Sequence, residues 1–131
     1  MNKAADFLVN RALNFEHSSV VNINALNKTN LSSLLTLRGF SEGGVRDQSS
    51  WSTKGKAACG WVIQGGFPFK TDGTFNWETL MYGQIFLGAG FNSFDAEMTG
   101  AEAVVYGTLL LLSLHDNFHC PVAEWFNTLL N

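Results

Sequence analysis

Residues 56–64 read KAACGWVIQ, and this nearly unbroken apolar run is typical of a strand in the middle of a sheet. Two further candidate strands lie on either side of it, at residues 35–41 and 79–88. Turn signals separate them: Glu42-Gly43-Gly44 follows the first strand, and a stretch rich in Gly, Pro and Asp covers residues 65–77. Because the connections are short, the sequence predicts a three-stranded antiparallel meander.

A long helix is predicted after the meander. Ser93 is a suitable N-cap, and Asp95 and Glu97 fall in the first turn, where the helix dipole favours acidic side chains. Residues 101–114 are apolar almost all round, so we expect this helix to be buried on more than one side.

The two ends of the chain carry shorter helical patterns. Residues 2–14 predict an amphipathic helix, and residues 15–34, rich in Asn and Ser, predict a linker with at most a brief helical or extended piece. A short C-terminal helix is predicted after Pro121. Its apolar stripe is Val122, Trp125, Phe126, Leu129 and Leu130. The predicted division is therefore an N-terminal helix and linker at 1–34 and a core at 35–131.

The composition is apolar for a chain of 131 residues. Hydrophobic residues make up 46% and charged residues 15%, against about 25% charged in a typical soluble domain. Such a chain either has a dense core or has apolar surface that a protein partner or a second copy covers. No stretch reaches the roughly 20 apolar residues of a membrane-spanning helix. We expect an intracellular protein with no membrane association.

The charges are divided unequally along the chain. All eight Lys and Arg residues lie between Lys3 and Lys70, and residues 71–131 carry seven acidic residues and no basic one. Only the first part is suited to an anionic partner such as RNA. The net charge of -3 argues against strong stand-alone binding to nucleic acid. Lys3 and Arg11 beside the apolar positions of residues 1–14 also fit an organelle-targeting helix, in which an acid such as Asp6 is unusual.

Three motifs in this order resemble the ribonuclease H family. Residues 39–44 (GFSEGG) resemble its first strand, which ends in an Asp-Gly-Gly or Asp-Gly-Ser turn with a metal-binding Asp. Residues 57–63 (AACGWVI) are similar to its second strand, and residues 92–98 (NSFDAEM) to the loop and first turn that present a catalytic Glu. The resemblance implies an α/β (α+β) fold with a three-stranded meander followed by a long buried helix.

A fourth match lies out of order. Asn2, the Ala-Asp pair ending at Asp6, and the following Leu8 and Asn10 resemble the family's closing helix, whose Asp completes the metal site. In the family this helix comes last, whereas here it comes first. The chain therefore resembles a permuted ribonuclease-H-like domain, or the end of one repeat fused to the start of another.

The resemblance implies a carboxylate site for Mg²⁺. The family uses two such ions to bind the attacking and leaving oxygens of a phosphodiester, and these hard cations take carboxylate ligands. The candidates are Glu42, Glu97 and Asp6, with Asp47 and Glu102 as substitutes for the first two. Each also has an ordinary structural interpretation: Glu42 as a turn residue, Glu97 as a dipole-complementing acid and Asp6 as a surface residue.

Two departures from the family pattern bear on activity. Glu42 stands where the family has Asp, and its extra methylene moves the carboxylate by about one C–C bond, while Mg²⁺ requires near-octahedral geometry. The family's fourth strand, which carries another metal-bridging Asp, has no counterpart in the residues after Leu114.

These features lead to three hypotheses. The first is a degenerate ribonuclease-H-like module that serves as a binding or architectural part of a larger assembly, such as a ribonucleoprotein. The second is an active Mg²⁺-dependent nuclease that cleaves RNA in RNA–DNA hybrids, with Lys54 and Lys56 contacting phosphates. The third is a half-domain that completes its site by swapping with a second copy, which predicts a tight dimer whose sheet is built from two chains.

Overall fold

A computed structural model describes residues 2–23, 36–46, 55–68 and 74–115. These residues form two helices and four strands, so the α+β class predicted from the sequence is confirmed. The elements along the chain are α1 (Lys3–Phe15), β1 (Ser19–Asn22), β2 (Thr36–Arg46), β3 (Gly55–Pro68), β4 (Phe75–Phe91) and α2 (Ser93–His115).

The strands form one antiparallel sheet in the order β1-β4-β3-β2. The predicted meander corresponds to β2, β3 and β4. The fourth strand, β1, lies in the segment predicted to be a linker, so the predicted strand count was wrong. Its four residues are too few to show a period, and it exists because β4 is long enough to pair with it, with Val20 opposite Gly83.

Strands β3 and β4 are longer than the sequence predicted. Gly66 and Trp77 lie within the expected turn region, yet they are paired across β3 and β4. The ring of Trp77 lies over Gly66, where a β-carbon would be 3.1 Å from it. The absence of a side chain at Gly66 therefore makes room for the Trp77 ring within the strand pair instead of ending the strand.

The predicted turn at Glu42-Gly43-Gly44 was also wrong, because β2 continues through it to Arg46. Gly43 and Gly44 face opposite sides of the sheet. A β-carbon at Gly43 would lie 2.6 Å from the Glu97 nitrogen in α2, and one at Gly44 would lie 2.9 Å from Val9 Cγ1 in α1. These two glycines therefore allow both helices to approach the strand closely.

The two helices lie on opposite faces of the sheet. A β-carbon at Gly60 would be 2.5 Å from the Ala5 carbonyl oxygen in α1, whereas its neighbour Cys59 faces Gly100 in α2. Helix α1 buries its apolar face, as its sequence pattern indicates. The buried residues of this face are Ala5, Leu8, Val9, Ala12 and Leu13. The larger part of the core lies under α2 and consists of Cys59, Trp61, Ile63, Phe67, Leu80, Met81, Ile85, Ala103 and Leu111.

Within the described residues, α2 is buried on one side only. Ala96, Ala103 and Leu111 face the sheet, while Val105 and Leu109 on the outer surface remain 56% and 45% exposed. The prediction of burial on more than one side is therefore not met in this part of the chain. Among the described elements, α2 packs mainly against the sheet, which covers one side of the helix.

The predicted C-terminal helix around Trp125 lies outside the described residues, as do Asp47 and Lys54. Among the helices that are described, none has the length and hydropathy required to cross a membrane.

Candidate carboxylate site and the opposite basic surface

Glu42 is a half-buried residue of β2 beside the start of α1. Its Oε1 accepts a hydrogen bond from the backbone nitrogen of Asn2 at 3.3 Å. Asn2 is the N-cap of α1, and its side chain accepts from the backbone nitrogen of Ala5 at 3.0 Å. Glu42 thus complements the positive end of the α1 dipole through space, in addition to any chemical role.

Asp6 lies in the first turn of α1 and is half-buried. Its backbone nitrogen donates to the Asn2 carbonyl oxygen at 3.0 Å, which is part of the helix itself. Its Oδ2 lies 3.5 Å from the side-chain nitrogen of Asn10, one turn further along α1. The carboxylate is therefore held near the surface, on the same helix end that Glu42 contacts.

Glu97 is an exposed residue near the start of α2. The helix begins with a reciprocal cap: Asp95 donates its backbone nitrogen to Asn92 Oδ1 at 2.9 Å, and Asn92 donates its own to Asp95 Oδ2 at 3.0 Å. The N-cap is therefore Asn92, and the prediction of Ser93 was wrong by one residue. An Asn followed three residues later by an Asp reproduces the logic of the capping box.

The three candidate carboxylates come from elements that meet at one part of β2. Glu42 faces α1, while Glu97 belongs to the helix that packs on the other face against Gly43. A metal ion shared by all three would therefore have to lie around the outer edge of β2. In the part of the chain that the structure describes, no group of three or more His, Cys, Asp or Glu residues is placed to hold a metal ion.

The substitute residues do not add to this cluster. Glu102 is exposed on α2. Lys56, expected as a phosphate contact, forms an ion pair with Glu16 at 2.9 Å. Both side chains of that pair are about half exposed, so it contributes little to stability.

A second surface, on the α1 side of the sheet, was not predicted. The guanidinium carbon of Arg38 lies over the ring of Trp77, 3.8 Å from its centroid, and is 5.3 Å from the ring centroid of Phe40. The Arg38 Nε donates to Gln64 Oε1 at 2.8 Å, and Gln64 Nε2 in turn lies 3.5 Å from Thr79 Oγ1. This row of side chains crosses three strands.

The row leads to a groove of about 420 Å³ between α1 and the sheet. Its lining is mainly apolar, with polar groups at both sides: Ala4, Phe7, Leu8, Arg11, Ile23, Val62, Thr79 and Tyr82. Phe7 is 63% exposed at its rim. The sequence signal for this surface was the alternation of side chains between the two faces along β2 and β4. Because these strands are mostly apolar, the sequence did not show which alternate residues share the α1 side.

The charges of the described residues are separated by the sheet. All five described basic residues lie on α1 or on strand positions facing it: Lys3, Arg11, Arg38, Arg46 and Lys56. The α2 side carries acids alone: Glu78, Asp95, Glu97 and Glu102. Three acids, Asp6, Glu16 and Glu42, share the α1 side with the basic residues. The unequal charge along the sequence has become an unequal charge between the two faces.

Comparisons of the chain with protein-family models, with curated proteins and with solved structures found no match.

Proposed function

We propose that this chain is a ribonuclease-H-like module that works as a binding or architectural component of a larger assembly. The observation that carries the proposal is an apolar stripe along the outer surface of α2. Five large side chains, each 43–65% exposed, form it: Phe94, Met98, Val105, Leu109 and Leu112. At 100° per residue these positions fall within about 60° of one another around the helix, so they form one continuous seam.

A second copy of this chain is the occupant that fits the stripe best. The acids of α2 lie in its first half, at Asp95, Glu97 and Glu102, and residues 103–112 are uncharged. In an antiparallel pair the acidic half of one α2 faces the uncharged half of the other. A parallel pair would place acids against acids, and like charges in close contact are unfavourable.

The test is the mass of the full chain in solution, measured by light scattering after size-exclusion chromatography. We expect a dimer that Val105→Asp and Leu109→Asp each convert to a monomer with unchanged helical content. Phe15→Asp is the matched control, because Phe15 is 73% exposed but lies on α1. A parent protein that stays monomeric at high concentration would contradict the proposal.

The same variants distinguish surface pairing from exchange of strands. If two copies completed each other's sheet, the contacts would lie within the sheet, and an acid on the outer surface of α2 would leave the dimer intact.

A Mg²⁺-dependent nuclease is the second candidate. The observation that favours it is the convergence of both helix N-termini on adjacent residues of β2, where Glu42 Oε1 lies 3.3 Å from Asn2 and Gly43 contacts Glu97. Because no three described carboxylates are placed to hold a metal ion, this candidate requires Glu42, Glu97 and Asp6 to move closer together before they could bind Mg²⁺, the ion that such nucleases use on a phosphodiester. The test is cleavage of an RNA–DNA hybrid with Mg²⁺ by the parent and by Glu97→Gln. Equal residual cleavage by both proteins would assign the activity to a contaminant.

A further inference from the structure

We infer that the α1 side of the sheet binds single-stranded nucleic acid, with bases stacking in the groove beside Phe7 and Tyr82 and with phosphates contacted by Arg11 and Arg38. This surface faces away from α2 and does not depend on the proposed pairing of that helix. Two features of the surface carry the inference independently, namely its charge and its aromatic side chains.

The charge of this side selects an anionic ligand. Its cations outnumber its acids by five to three, and one acid, Glu16, is already paired with Lys56. The α2 side carries acids without a described cation. An anionic chain approaching the molecule is therefore attracted to one face and repelled by the other, which gives the ligand an orientation even though the net charge is -3.

The aromatic residues select a ligand with flat rings. Phe7 is 63% exposed at the rim of the groove, and Tyr82 lies within the groove. An exposed Phe beside cations is the combination with which proteins bind unpaired bases, because every base offers a face for stacking. An acidic peptide would satisfy the cations but would leave these rings without a stacking partner.

The Arg38 side chain is preorganised to bind a phosphate group. Its guanidinium is fixed by the Trp77 ring at 3.8 Å and by Gln64 at 2.8 Å, yet the residue remains exposed. A side chain held in this way loses little conformational entropy when it binds, and guanidinium groups match phosphate oxygens in geometry. Gln64 links Arg38 to Thr79, which lines the groove, so base and phosphate sites adjoin.

The test is fluorescence anisotropy with labelled twelve-nucleotide oligo-dT and oligo-U at low ionic strength. We expect both to bind, because phosphates and stacked bases are common to DNA and RNA. The logarithm of the binding constant should fall with that of the salt concentration with a slope of about -1.4, as expected for two phosphate contacts on a single strand. The corresponding duplex should bind more weakly, since its bases are already stacked.

Two substitutions at exposed positions locate the site. Phe7→Ala should weaken binding at least about fivefold, and Arg11→Gln should reduce the magnitude of the salt slope by about 0.7. Phe15→Ala is the matched control for Phe7, since Phe15 is exposed on the same helix but does not line the groove. Equal effects of the two Phe substitutions, equal binding of the duplex, or no binding at low salt would each overturn the inference. The mass of the protein should be the same for all these variants, which separates this test from that of the α2 stripe.

Discussion

Gly43 and Glu97 are in direct backbone contact: a β-carbon on Gly43 would lie 2.6 Å from the Glu97 nitrogen. The carbonyl carbon of Ala96 would be only 2.8 Å away. Both neighbours are main-chain atoms of α2, so they cannot move aside by rotating a side chain. The first turn of α2 is thereby held against β2 beside Glu42, on the opposite face of the sheet from the Glu42 side chain.

We expect Gly43→Ala to destabilise the protein by about 1–3 kcal/mol, the usual cost of overpacking, because α2 must shift away from β2. Gly44→Ala is the control. Its β-carbon would meet the Val9 side chain at 2.9 Å, which can rotate, so its cost should be smaller. Urea unfolding of both variants measures the difference. A larger loss for Gly44→Ala would show that α1, and not α2, is the tightly held helix.

The contact also shows what the sequence could and could not predict. The apolar run around Cys59 and Trp61 identified a central strand, because a strand covered on both faces needs apolar residues at every position. The prediction of a turn at Gly43 was wrong for a physical reason. Glycine relieves strain in a turn and relieves crowding under a helix, and the local sequence does not distinguish the two.

The candidate site could be predicted only in part. The resemblance to ribonuclease H motifs, with Asp6 out of the family's order, suggested that Asp6, Glu42 and Glu97 belong together, and the structure brings their elements to one region of β2. The sequence could not reveal that the sheet separates Glu42 from Glu97. Which face a strand residue occupies depends on register, and a shift of one residue reverses every side chain. The row from Arg38 to Thr79 was missed for the same reason.

The start of α2 gives a second prediction. Asn92→Ala removes a side chain that accepts from the Asp95 backbone nitrogen at 2.9 Å, and we expect a loss of about 1 kcal/mol. Ser93→Ala, at the position that the sequence favoured for the cap, should be nearly neutral. Thermal unfolding followed by circular dichroism compares them. If Ser93→Ala proved the more damaging, the helix would begin one residue later than described.

A substitution at Glu42 distinguishes a structural role of this residue from a metal-binding one. Glu42→Gln keeps an acceptor for the Asn2 nitrogen but removes the charge at the N-terminus of α1, and we expect a loss of about 0.3–1 kcal/mol that diminishes at high salt. If Glu42 also binds Mg²⁺, adding the ion should raise the melting temperature of the parent but not of the variant. If the melting temperatures of the two proteins responded equally to Mg²⁺, the role of Glu42 would be limited to stabilising the start of α1.

Cys59 has no exposed surface, and burial raises the pKa of its thiol from 9.0 to about 12, against a smaller lowering by a backbone hydrogen bond from Ile85. The thiol is therefore protonated at neutral pH and is not suited to be a nucleophile. We expect iodoacetamide to leave it unmodified in the native protein at pH 8 and to modify it in urea. To isolate this thiol, Cys120 is replaced by Ser. Rapid modification in the native state would show that the core under α2 opens readily.

The same shift makes stability depend on pH in a defined direction. Above pH 9.0 the thiol of the unfolded chain loses its proton, whereas the folded chain keeps it up to about pH 12. The unfolded state then binds fewer protons, so the free energy of unfolding falls as pH rises through this window, by about 1.4 kcal/mol per pH unit. Cys59→Ala lacks the contribution of this thiol to the pH dependence. Groups that titrate alike in both proteins cancel when their free energies of unfolding are subtracted. Between pH 8 and pH 10 the parent should therefore lose about 1.4 kcal/mol more than the variant, and parallel pH profiles would mean that Cys59 ionises as readily in the folded chain as in the unfolded one.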